Sequence, residues 1–125
     1  MKKFAAAINC MDGRVQVPVI KYIKKKYEVE YIDMITEPGP NKILAENKDC
    51  KTIESIKERV KISMDKHDSE LIAIVGHYDC AGNPVDEKQQ IEDIKLAVKN
   101  LETWKLDAKI IGLYVNEDWK VKKIC

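Results

Sequence analysis

A chain of 125 residues, 45% hydrophobic and 34% charged, has room for one ordinary hydrophobic core and hence a single domain over residues 1–125. With four prolines and five glycines it is not a disordered, collagenous or low-complexity sequence. Twenty-two Lys and Arg against 21 Asp and Glu leave a net charge of +1, so the whole chain offers no electrostatic case for nucleic acid or an anionic membrane as partner.

Phe4-Ala5-Ala6-Ala7-Ile8 is an apolar run of strand length, too short for a signal core and far short of a membrane helix. A cytoplasmic location is the working expectation. Pro18 suits the first turn of a helix, and Val19, Ile20, Ile23 and Tyr27 follow at helical spacing. Glu28 to about Ile35 reads as a second strand, broken by Glu37-Pro38-Gly39-Pro40. Ile53, Ile56, Val60 and Met64 mark one face of a helix from about Thr52 to His67. Leu71-Ile72-Ala73-Ile74-Val75 is the most apolar run and stops at Gly76-His77, as a central parallel strand would. Asn83-Pro84 is the expected start of the next helix, with Asn83 as its cap, continuing through Ile91, Ile94, Val98 and Leu101 to about Lys105. Lys109 to Val115 is a fourth strand, and Asn116-Glu117-Asp118 turns into a last one over Trp119 to Ile124.

This succession predicts an α/β fold: a three-layer open sheet of four parallel strands with a C-terminal antiparallel edge strand and helices on both faces. The expected strand order is 2-1-3-4. In such sheets a site lies beyond the carboxyl ends of the strands. Two segments fall there, Cys10-Met11-Asp12-Gly13-Arg14 and Gly76-His77-Tyr78-Asp79-Cys80-Ala81-Gly82. If the first and third strands are neighbours, the segments meet and offer two thiols, an imidazole and a carboxylate. That donor set suits zinc, with Cys10, His77 and Cys80 as ligands. An extended backbone from Cys10 would point Asp12 and Arg14 the same way as the cysteine. Asp12 is then either a fourth ligand or a carboxylate held by Arg14, which leaves the fourth position to water.

Cys-x-Asp-x-Arg at 10–14 followed by Gly-His-x-x-Cys-x-Gly at 76–82 resembles the β-class carbonic anhydrases. Pro38-Gly39 after the second strand and Gly112-Leu113-Tyr114-Val115 with its hairpin extend the likeness over most of the chain. The resemblance implies a zinc lyase that hydrates CO2 to bicarbonate. Cys10, His77 and Cys80 would be the zinc ligands, Asp12 and Arg14 the catalytic dyad, and the assembly a homo-oligomer, expected to be a dimer. The sequence also departs from the family. With nine residues before Cys10 no counterpart of the family's dimerising helical arm is expected in this sequence, Thr36-Glu37-Pro38-Gly39 replaces an Arg-Asn-Ala-Gly type segment, and Ala81 directly follows Cys80. These departures keep open a zinc protein without turnover, or a hydrolase of COS or CS2.

Nothing near Cys50 or Cys125 completes a second site, so both read as incidental thiols. His67 reads as a solvated cation at a helix C-terminus, and Lys24-Lys25-Lys26 as a solvated helix face. Tyr78 and Asp79 lie inside the ligand loop, a position that does not by itself place either at a cavity mouth.

Overall fold

The structure is a computed structural model and describes residues 3–125. Its five strands, β1 (Phe4–Cys10), β2 (Tyr31–Glu37), β3 (Leu71–His77), β4 (Lys109–Val115) and β5 (Val121–Lys123), form one sheet in the order β2-β1-β3-β4-β5. The first four are parallel and β5 is an antiparallel edge, as the sequence predicts. Register brings the carboxyl ends into line: Cys10 pairs with Glu37 and His77 with Val115. β3 sits centrally with all seven residues buried, which is why its sequence lacks polar alternation.

Helices cover both faces. α1 (Gln16–Tyr27) packs Val19 and Ile23 onto Ala5, Ala7, Ala73 and Val75. On the other face α2 (Pro40–Glu46), α3 (Cys50–His67) and α4 (Glu87–Glu102) bury Leu44, Ile56, Val60, Ala97 and Leu101 against Ala6, Ile8, Ile72 and Ile74. The alternation of β1 and β3 side chains between these clusters makes the three layers. Among the described residues no helix is long and apolar enough to cross a membrane.

Four local expectations are corrected. The segment after Pro38-Gly39 is not merely a break. Gly39 takes a left-handed conformation (φ 60°) and Pro40 opens α2, a helix too short for its apolar residues to show a period. β2 runs from Tyr31 to Glu37 rather than 28–35, because Glu28 ends α1 in a left-handed conformation and the amides of Glu30 and Tyr31 bond to the Lys3 carbonyl. Asn83 does not cap α4. Its amide donates to Asp93 at 3.0 Å and its carbonyl accepts from Gln90 at 2.8 Å, while Asp86 caps the helix by accepting from the Gln89 amide at 2.9 Å. β5 begins at Val121 because Trp119 closes the preceding turn at φ 59°.

Candidate metal centre

β1 and β3 are neighbours, and their ends converge. The ligand atoms of Cys10, His77 and Cys80 lie within 4.8 Å of one another, and all three residues are buried. Cys10 is the last residue of β1, His77 the last of β3, and Cys80 lies three residues on, past a tight turn in which Asp79 adopts φ 57°. The two sulfurs are 3.9 Å apart. The contact with the Cys80 sulfur draws the Cys10 thiol well below the ordinary range, against the opposing effect of burial, and the same contact together with burial pushes Cys80 up. Burial disfavours the His77 imidazolium, but Cys10 and the Tyr78 carbonyl outweigh it and the net direction is upward.

The histidine supplies the test of fit for a metal. His77 Nδ1 donates to the Tyr78 carbonyl at 2.7 Å, which leaves Nε2 as the free ring nitrogen. Nε2 is buried and has no hydrogen-bond partner. An orphaned buried nitrogen grouped with two thiols is the donor set of a zinc site, with the carbonyl as the outer partner that fixes tautomer and ring orientation. The residues present therefore fit zinc.

Asp12 stands beside this group but is not one of its members. The extended course expected through residues 10–14 is interrupted: Gly13–Val15 form a 3-10 turn, which Asp12 caps by accepting from the Arg14 amide at 2.9 Å. The turn, not strand alternation, folds Arg14 back onto Asp12. Both carboxylate oxygens are engaged, Oδ1 by Nε at 3.1 Å and Oδ2 by Nη2 at 2.7 Å. The Arg14 side chain holds the Asp12 carboxyl down to about 2, outweighing its partial burial. This is the geometry of the second reading of Asp12, a carboxylate gripped by arginine.

Several residues without a sequence signal support the centre. Gln16 Nε2 donates to the Cys10 carbonyl at 2.6 Å, and the Met11 amide bonds to the Glu37 carbonyl at 3.0 Å, so the end of β1 is tied to α1 and β2. Asn41, Gln90 and Asn83 form a buried chain of hydrogen bonds behind Gly76. Beside Cys80 opens a cavity of about 520 Å³ lined in part by Tyr78, Asp79, Glu87, Tyr114 and Glu117. Burial first, then Glu87 and Glu117, push Tyr114 up to about 12.

The other singled-out residues lie apart. Cys50 and Cys125 are free and exposed, and Lys24, Lys25 and Lys26 are exposed on α1. His67 is not simply solvated: its Nδ1 meets Asp33 at 2.7 Å and its ring stacks on Phe4 at 4.2 Å. Asp33 lies on β2, a contact that needs the assembled sheet.

A parallel α/β sheet with a Cys-His-Cys group at the carboxyl ends of two adjacent strands defines a carbonic anhydrase-like protein. The family described as "Putative carbonic anhydrase" matches residues 1–125, and the chain belongs to it. Solved structures share the fold. A carbonic anhydrase from Glaciozyma antarctica is 17% identical with a TM-score of 0.62, over 97% of this chain and 81% of that one. β-Carbonic anhydrase isoform I of the protozoan Trichomonas vaginalis is 18% identical with a TM-score of 0.61, over 96% and 81%. The β-carbonic anhydrase of the fungal pathogen Aspergillus fumigatus is 12% identical with a TM-score of 0.51, over 98% and 74%. No curated protein sequence matches significantly.

Proposed function

We propose that this chain is a zinc-dependent carbonic anhydrase that catalyses the reversible hydration of CO2 to bicarbonate. The observation that carries this reading is the convergence of Cys10, His77 and Cys80 beside the Asp12–Arg14 pair, in a chain of the carbonic anhydrase family. Zinc, when bound, supplies a Lewis acid that lowers the pKa of water from 15.7 toward about 7. Cys10 Sγ, Cys80 Sγ and His77 Nε2 would hold it, with the Tyr78 carbonyl keeping the histidine proton on Nδ1.

Asp12 remains a carboxylate throughout the working range, because Arg14 holds its proton affinity low. It accepts a hydrogen bond from the attacking water and so orients the nucleophilic lone pair toward CO2. Arg14 fixes the carboxylate rather than touching CO2. Two thiolates put more negative charge around the site than imidazoles do, so turnover favours mildly alkaline pH. The family resemblance also implies a homodimer, which sedimentation at micromolar concentration tests, and cell fractionation tests the expected cytoplasmic location.

Stopped-flow CO2 hydration by protein carrying one zinc per chain is the direct test, with a rate above buffer expected across pH 7–9. A rate equal to buffer throughout would overturn the assignment in favour of a zinc protein without turnover. Consumption of COS or CS2 in place of CO2 would move it to the related hydrolases.

A further inference from the structure

Arg14 is held from three sides. Its Nε and Nη2 grip Asp12, its Nη1 donates to the Asp79 carboxylate at 3.3 Å, and Nη2 also donates to the Asp79 carbonyl at 3.1 Å. One face of the guanidinium lies against Trp119, whose ring centroid is 4.6 Å from Cζ. Trp119 is itself braced by the edge of Tyr78, with ring centroids 6.4 Å apart.

Two features of this clamp go beyond chance contact. Asp79 (φ 57°) and Trp119 (φ 59°) both take the left-handed backbone conformation that non-glycine residues rarely adopt. The Trp119 turn is also prepared from within: Asn116 Oδ1 accepts from the amides of Asp118 and Lys120 at 2.9 and 3.0 Å, and the Trp119 amide bonds to the Asn116 carbonyl at 2.9 Å. The C-terminal hairpin therefore presents an indole over a guanidinium that begins 105 positions earlier in the chain (119 − 14).

A guanidinium with a 45% exposed side chain and no such support would rotate freely and release its carboxylate. Asp12 lies two residues from Cys10, and a freed carboxylate is itself a good zinc ligand. We propose that Trp119 and Asp79 are positioning residues that, through Arg14, keep Asp12 off the metal and the fourth position exchangeable. This rests on the metal centre of the preceding section and not on turnover.

The test uses protein loaded with Co2+, whose visible spectrum reports ligand exchange, titrated with thiocyanate. Trp119→Leu is expected to weaken thiocyanate binding about fivefold or more, the scale of a lost cation–π contact. Trp119→Phe should restore it to within about twofold, since the ring face is kept. Asp12→Ala placed in the Trp119→Leu background should also restore it, because the competing carboxylate is gone. Asp79→Asn should act in the same direction as Trp119→Leu.

Unchanged thiocyanate affinity in Trp119→Leu, or a loss that Asp12→Ala does not relieve, would overturn the proposal. A second measurement needs no metal. The Arg14 Nε–H resonance should be protected from exchange in the native chain and unprotected in Trp119→Leu, and equal protection in both would equally overturn it. Because neither readout involves CO2, a protein that passes both yet hydrates no CO2 would refute the proposed activity while leaving the clamp standing.

Discussion

Gly39 and Gly82 meet backbone to backbone: a Cβ on Gly39 would lie 2.6 Å from the Gly82 carbonyl carbon, and one on Gly82 would lie 2.4 Å from the carbonyl carbon of Pro38. The loop after β2 and the loop after β3 are thereby fitted together without side chains between them. Cys80 lies two residues before Gly82, in the loop that makes this contact. The Pro-Gly punctuation at 38–39 and the glycine at 82 are two halves of one packing requirement.

Gly82→Ala should therefore destabilise the fold by about 2 kcal/mol, since the obstructing atoms are backbone and cannot rotate away. It should also weaken zinc binding by about tenfold through displacement of Cys80. Gly13→Ala is the matched control, with nothing within 4 Å of its added methyl, and should change stability by less than about 0.5 kcal/mol. Urea unfolding and competition against a chromogenic chelator check both.

Cys80→Ser and His77→Ala should abolish stoichiometric zinc, while Cys50→Ser and Cys125→Ser should leave it at one per chain. The native protein should lose thermal stability on chelation and regain it with added zinc, by about 2.7 kcal/mol at a free zinc concentration of 100 Kd. Metal analysis and thermal melts at graded zinc concentrations are the measurements.

Asp12→Asn keeps the shape of the side chain and removes the charge that Arg14 grips. Zinc content should be unchanged, while the CO2 hydration rate falls about 100-fold or more, the usual scale for a misplaced reacting group. A rate within about twofold of native would show that Asp12 is a structural cap and no more.

Tyr114 gives an expectation at alkaline pH. Its proton is held up to about 12 in the fold, against an ordinary value of 10.0. Between these values the unfolded chain has lost a proton that the folded chain keeps, so stability is intact below pH 10 and falls as pH rises from 10 toward 12. Tyr114→Phe should flatten that decline, and the slowest-ionising phenol in an ultraviolet titration should vanish with it.

Much of the architecture was legible because burial writes itself into local pattern. The burial of β3 on both faces gave the uninterrupted apolar run Leu71-Ile72-Ala73-Ile74-Val75, and the one buried face of α3 gave a helical stripe. α2 was invisible because seven residues with one buried edge do not establish a period. The start of α4 was misplaced because Asn83-Pro84 and Asp86 both look like helix openings. Only the neighbouring Asp93 and Gln90 decide that the Asn83 side chain and carbonyl are used elsewhere.

The sequence by itself determined a parallel sheet and the residues at the carboxyl ends of its strands, since Cys10 and His77 stand where apolar strands end; that β1 and β3 are neighbours, so that these residues meet, is decided by the sheet. Tertiary structure alone decided how those residues are used. The 3-10 turn put both oxygens of Asp12 in the grip of Arg14, the Tyr78 carbonyl left His77 Nε2 free, and the C-terminal hairpin brought Trp119 over the guanidinium. The reason is range: periodicity reports which side of a strand or helix is buried, whereas contacts between residues far apart in the chain follow from register and loop geometry, which leave no local trace.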